Sequence, residues 1–334
     1  MGNKNINPNL KKGAYAQSNS SVAELAEGIR AGDRAALSLG ITLIESNHPT
    51  YLQKSMELLD LVKPDYIRSS AHRIAISGSP GVGKSTLIES LIQEKPKAKF
   101  AILTIDPSSE QTKGSILGDK TRMESSSTLP NVFIRPSPSN NVLGGVGSKT
   151  REVMLLCEAA GFDHIIIETV GVGQSETIVS KMVDLFILLV LPGSGDEIQG
   201  IKRGIVELAD LVIVTKSDNE RVNIAKQSAR AFKNALHILS GKYSNKSIPV
   251  LAVSSYDNKG MDIIWEEVQN YKTYFSEEER LIKLRQSQVF HWYEQQLKED
   301  IYRKYLADEK VQLKLAEHRK EIEKGSVNVW KMRF

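Results

Sequence analysis

The chain has 334 residues, 40% of them hydrophobic and 25% charged, an ordinary soluble composition with enough length for one large core and appendages. Its 44 Lys and Arg are interspersed among 40 Asp and Glu, so the formal charge of +4 gives no reason to expect a nucleic-acid partner. Cys157 is the single cysteine, which excludes an internal disulfide and a zinc site built on paired thiolates.

The first 21 residues are polar, without the apolar centre of a signal peptide, and Ile6 breaks the myristoylation pattern. Residues 1–19 are expected to be a disordered tail, and the protein is expected to be cytoplasmic. A helical subdomain is predicted over 20–70. Ser21 followed by Glu24 forms a candidate capping box, because each side chain satisfies a free amide at the helix start. Two further helices are predicted in RAALSLGITLIES and YLQKSMELLDLV, broken by Gly32 and Pro49.

From residue 72 the pattern changes to short apolar runs: RIAIS, FAILTI, NVFIR, HIIIE, LFILLVL, LVIVT and IPVLAV. Separated by helical or loop segments, they predict an α/β fold, a doubly wound and mostly parallel sheet over 71–272. The run at 185–192 is far shorter than the roughly 20 residues of a membrane-spanning helix and reads as a buried strand. Residues 273–334 are predicted to be helical, with Ile282, Val289, Tyr293, Leu297 and Ile301 on one face.

The segment Gly78-Ser79-Pro80-Gly81-Val82-Gly83-Lys84-Ser85, followed by Thr86, fits a phosphate-binding P-loop between a predicted strand and a predicted helix. Glycines let backbone amides turn toward phosphates, and the new helix start adds its dipole. Lys84 is expected to reach the β and γ phosphates, and Ser85 to ligate Mg²⁺.

At 211–218, LVIVTKSD ends a strand with Thr215, Lys216 and Asp218, close to the Asn-Lys-x-Asp signature of GTPases. A carboxylate at the last position accepts two hydrogen bonds from guanine N1 and its exocyclic amine, a donor pair adenine lacks. Lys216 is expected to lie along the base. Thr215 stands where Asn is usual, leaving open whether that residue's bridging hydrogen bonds are made. Ser254 and Ser255 follow the last strand, where their amides are expected to approach the guanine oxygen.

Asp106 and Glu168 fall at the carboxyl ends of two predicted strands, the edge where ligands bind in such sheets. Both are candidate Mg²⁺-site carboxylates, a turn cap before Pro107 being the lesser alternative for Asp106. Gly171 completes Glu-x-x-Gly, its amide a candidate γ-phosphate donor. Ras-like GTPases place a water-positioning Gln directly after this glycine; here that residue is Val172. Gln174 follows two places later, as readily a loop-surface residue as a catalytic one.

Three segments, DPSSEQTKGSILGDKTRM (106–123), ETVGVGQSE (168–176) and LPGSGDEIQGIKRG (191–204), together closely resemble the MeaB/ArgK family. These are GTPases that chaperone adenosylcobalamin-dependent methylmalonyl-CoA mutase. The similarity covers most of the chain and weakens through the terminal helices. It implies GTP hydrolysis that is slow alone and stimulated by a partner, with Lys84, Glu168, Asp119, Lys202 and Gln199 as catalytic candidates. Asp119 corresponds to the mobile acidic residue of the first switch. Asp196, Gln199 and Lys202 match a further switch loop, 193–204. A cationic Lys202 swinging toward the phosphates implies charge stabilisation like that of an arginine finger. Without the resemblance, Lys202 and Arg203 read as a solvated helix face.

The resemblance further implies a homodimer held by C-terminal helices, with a B12-dependent acyl-CoA mutase and a cobalamin adenosyltransferase as candidate partners. Adenosylcobalamin belongs to the partner, and neither nucleic acid nor membrane is expected to bind. A nickel-inserting GTPase is the first alternative, disfavoured by six scattered histidines. An ATP-dependent kinase is the second, disfavoured by Asp218.

Overall fold

The computed structural model describes residues 20–46, 48–63, 65–106, 123–138, 149–169, 175–193, 203–238 and 247–325. Helix α1 (Val22–Arg30) opens with the expected capping box: the Ser21 amide donates to Glu24 Oε2 at 2.7 Å and the Glu24 amide to Ser21 Oγ at 3.2 Å. Helix α2 (Arg34–Glu45) is capped by Asp33, whose Oδ1 accepts from the amides of Ala35 and Ala36. Helix α3 (Pro49–Val62) starts on a proline, where the missing N–H goes unused, and stops at Lys63 in the left-handed region.

The sheet then builds in alternation with helices. Its elements are β1 (His72–Gly78), α4 (Lys84–Glu94), β2 (Phe100–Asp106), the short α5 (Glu124–Ser127), β3 (Val132–Pro138), α6 (Thr150–Ala159) and β4 (His164–Thr169). They continue with α7 (Ser175–Ser180), β5 (Leu185–Val190), α8 (Arg203–Val206), β6 (Leu211–Val214), α9 (Val222–Ile238), β7 (Val250–Ala252) and α10 (Met261–Ser276). Strand order is β3-β2-β4-β1-β5-β6-β7, and every pairing is parallel. All seven expected runs are strands. Those at the centre are buried on both faces, which is why they read as continuous apolar stretches rather than alternating ones.

The chain leaves β1 toward β2 on one side, and later crosses from β4 to β5 on the other. This reversal opens a crevice at the carboxyl end of β1, where open α/β sheets bind ligands. Helices α1, α2 and α3 pack on α6, and their Leu25, Ile29, Leu37 and Ile41 share one core with Leu103, Ile105 and Leu156. The N-terminal helices thus cover one face of the sheet. Arg73 of β1 forms a two-pronged pair with Glu158 of α6, at 2.5 and 3.0 Å, and also donates to the Tyr66 carbonyl at 3.2 Å. Both charged side chains are 4% exposed, so each neutralises a charge that burial alone would make costly.

On the opposite face, Trp265 of α10 donates its ring N–H to the Leu91 carbonyl of α4 at 3.1 Å. Its ring lies 4.8 Å from that of His164, which stacks on Phe100 at 5.1 Å. Residues divide into two compact units, Met1–Ile282 and Lys283–Phe334. The second is helical, formed by most of α11 (Arg280–Ala307) and by α12 (Glu309–Glu323), the latter capped by Asp308. Of the predicted apolar face, Ile282 and Val289 are half-buried, whereas Tyr293, Leu297 and Ile301 are exposed. No described helix is long and apolar enough to cross a membrane.

Candidate nucleotide site

The loop from Gly78 to Gly83 joins β1 to α4 at the crevice. A Cβ on Gly78 would meet the Leu189 carbonyl of β5 at 2.6 Å, so only glycine lets the loop leave the sheet this close to its neighbour. Gly83 sits at φ 103°, a left-handed conformation, and starts α4 with no side-chain cap. A helix start with no side-chain cap presents its first-turn amides, those of residues 83–86, in the arrangement that suits an anion. Ser79, Pro80 and Gly81 form the arc between, closed by a hydrogen bond from the Val82 amide to the Ser79 carbonyl at 3.3 Å. Lys84 is buried and donates to the carbonyls of Gly78 and Ser79 at 2.8 and 3.1 Å, which sets its ammonium across the loop.

Ser85 Oγ donates to Glu168 Oε1 at 3.0 Å, joining the loop to the end of β4. Glu168 is 5% exposed. Its neighbour across the sheet is Thr104, whose buried hydroxyl has no hydrogen-bond partner among the described residues. Asp106 ends β2 two residues beyond Thr104. A hydroxyl and a carboxylate converging at hydrogen-bond distance form an oxygen-only donor set, which suits a hard cation such as Mg²⁺. The side chain of Asp106 lies outside the described part of the structure, as do Asp119, Gly171, Gln174, Asp196, Gln199 and Lys202. Gly193, at the start of loop 193–204, donates its amide to Ser228 Oγ of α9 at 2.9 Å.

Thr215 makes the bridge that its unusual identity left open. Its hydroxyl, 2% exposed, approaches the Val82 carbonyl at 2.7 Å and the Val190 carbonyl at 3.3 Å, tying the phosphate loop to β5 and β6. Lys216 follows at φ 53°, a left-handed turn that carries the chain off β6 toward Asp218. Ser254 Oγ donates to Asp218 Oδ2 at 3.3 Å and accepts from the Asp257 amide at 3.1 Å, which orients the carboxylate from a second loop.

That second loop refines one expectation. The Ser254 amide donates to the Lys259 carbonyl at 3.1 Å, and its carbonyl accepts from Lys259 at 2.9 Å, so the Ser254 amide is already committed. A trans peptide directs its C=O and N–H oppositely, which turns the Ser255 amide away from Lys259. None of the described hydrogen bonds engages it. Of the two serines, Ser255 is thus the one with an amide left for a base. Ser90, a residue the sequence reading passed over, donates its hydroxyl to the Ser255 carbonyl at 3.2 Å. The available signal was a serine on the buried side of the phosphate-loop helix, among Leu87, Ile88, Leu91 and Ile92.

Two other buried groups titrate away from their ordinary range. Burial drives the Cys157 thiol well above its ordinary range, leaving it inert at neutral pH. Burial and the neighbouring His72 lower His164 to about 4. Among the described residues no group of three His, Cys, Asp or Glu is placed to hold a metal.

Residues 37–310 match the family model described as methylmalonyl-CoA mutase-associated GTPase MeaB. The chain is 42% identical to the GTPase ArgK of Escherichia coli over 291 residues, covering 86% of this chain and 87% of that protein. It is 41% identical over 292 residues to the mitochondrial methylmalonic aciduria type A homolog of Caenorhabditis briggsae, covering 84% of this chain and 71% of the relative. A crystal structure of an LAO/AO transport system kinase superposes with a TM-score of 0.72 at 33% identity, covering 94% of this chain and 96% of that one. With a P-loop α/β fold and a family model matched over most of its length, this chain belongs to the MeaB family of mutase-associated GTPases.

Proposed function

We propose that this protein is a regulatory GTPase that gates loading of adenosylcobalamin onto a B12-dependent acyl-CoA mutase, methylmalonyl-CoA mutase being the expected one, and protects the loaded enzyme. The observation that carries this reading is the family match over residues 37–310, in a chain whose base-reading and phosphate-holding loops are hydrogen-bonded to one another. In the proposed mechanism the amides of 83–86 and the Lys84 ammonium hold the β and γ phosphates. Asp218 selects guanine through its N1 and exocyclic amine. Ser85 and Glu168, with Asp106, would hold Mg²⁺, which would neutralise charge on the phosphate oxygens.

Gly171 donates to the γ-phosphate, and its presence or loss sets the state of the switch segments. Val172 in the usual glutamine position makes hydrolysis slow until the partner completes the site, with Asp119, Gln199 and Lys202 as the residues through which it acts. The exposed Tyr293, Leu297 and Ile301 support a homodimer formed through the C-terminal helices.

GTP and GDP drive a partner only through different affinities for its states. Binding of methylmalonyl-CoA mutase to the protein loaded with GDP or with a non-hydrolysable GTP analogue tests this. The affinities are expected to differ about 5- to 150-fold, the usual span of such couplings. Equal affinities, or no complex with either, would overturn the proposal.

A further inference from the structure

We infer that Ser90 is a positioning residue for guanine recognition, acting through the Ser255 carbonyl to aim the base loop. A serine inside a helix is a weaker helix former than alanine, and commonly bonds back to the carbonyl four residues earlier. Ser90 is 7% exposed and instead reaches across to Ser255. The next residue, Leu91, accepts from the Trp265 ring N–H. Two successive positions of α4 therefore clamp the base loop and the helix it leads into. The same helix begins with the phosphate-binding turn, so one rigid element registers both ends of the nucleotide.

Three of the described contacts that hold the loop bear on its aim. Lys259 holds both polar backbone atoms of Ser254, Ser254 Oγ meets Asp218, and Ser90 holds the Ser255 carbonyl. Of these three, only the last reaches outside the two base-reading segments. The Ser255 amide, unengaged within the loop, belongs to the same residue as that anchor and fits the 6-oxo group of guanine. Without the Ser90 hydroxyl the carbonyl loses its partner and the amide its fixed direction.

This rests on the guanine reading of the base site, and the experiment separates the two. Affinities for GDP, ADP and the diphosphate of 2-aminopurine riboside, which lacks the 6-oxo group and with it the N1 proton but keeps the exocyclic amine, are measured by calorimetry on the full chain and on Ser90→Ala. The variant is expected to bind GDP about 3- to 10-fold more weakly, the worth of one internal hydrogen bond, and the 2-aminopurine nucleotide unchanged. Ser90→Thr, which keeps the hydroxyl, is expected to restore GDP binding. Equal losses for both nucleotides, or no loss of GDP, would overturn the inference. Ser90→Cys carries the same comparison should Ser90→Ala not fold. A wild-type chain with no preference for GDP over ADP would instead overturn the guanine reading itself.

Discussion

Replacing Thr215 by Val removes one oxygen and almost no volume, which isolates the bridge between the phosphate loop and the sheet. The hydroxyl is 2% exposed and lies 2.7 Å from the Val82 carbonyl, whose own side chain is fully buried. Losing a buried hydrogen bond and leaving its acceptor unpaired costs about 1–3 kcal/mol. For a unit of this size that corresponds to a fall in melting temperature of about 2–5 °C. Because Val82 belongs to the phosphate loop, GDP and ADP affinities should fall together by a common factor. Melting curves and calorimetric titration of the variant check both effects. Unchanged melting and affinity would refute the bridge, and a loss confined to GDP would show that Thr215 serves the base rather than the loop.

Asp218→Asn should weaken GDP strongly and raise the affinity for xanthosine diphosphate, whose 2-oxo group suits the amide; titration with both nucleotides decides it, and unchanged base preference would contradict the assignment. Glu158→Gln leaves Arg73 buried without its counter-charge and should destabilise the fold by about 3–5 kcal/mol, read from urea unfolding. His164 is held below its unfolded value of 6.5, so its neutral form contributes stability that is complete above about pH 6.5 and lost as the pH falls to about 4. The groups acting on it, after burial itself, are His72, Asp163, Lys272 and Lys95. Unfolding free energies across that range should fall by about 3 kcal/mol, and His164→Phe, which keeps the stack on Phe100, should flatten the slope.

Strands were legible because a parallel sheet covered on both faces needs unbroken apolar runs, and each of the seven carries one. The phosphate loop was legible because its glycines, lysine and serine are all required by one backbone path. The Ser21–Glu24 box was readable because capping is local. What joins these parts was not readable. The contacts of Thr215 with Val82 and of Ser90 with Ser255 link residues 133 and 165 positions apart, and no periodicity encodes such pairs. Nor does composition reveal that Ser254 spends its amide on Lys259, because the isolated bridge forms only once the loop folds back. The boundary expected at 272–273 follows the end of the strand pattern and the start of a helical one; Tyr271 and Phe275 are buried, and the first compact unit extends to Ile282.

The central claim is that phosphate is cleaved to time a change of state in a partner. Steady-state phosphate release from GTP and from ATP, each with and without methylmalonyl-CoA mutase, tests it most directly. The account predicts slow, GTP-selective release that the mutase accelerates. Rapid turnover of ATP, or a GTP rate indifferent to the mutase, would contradict it.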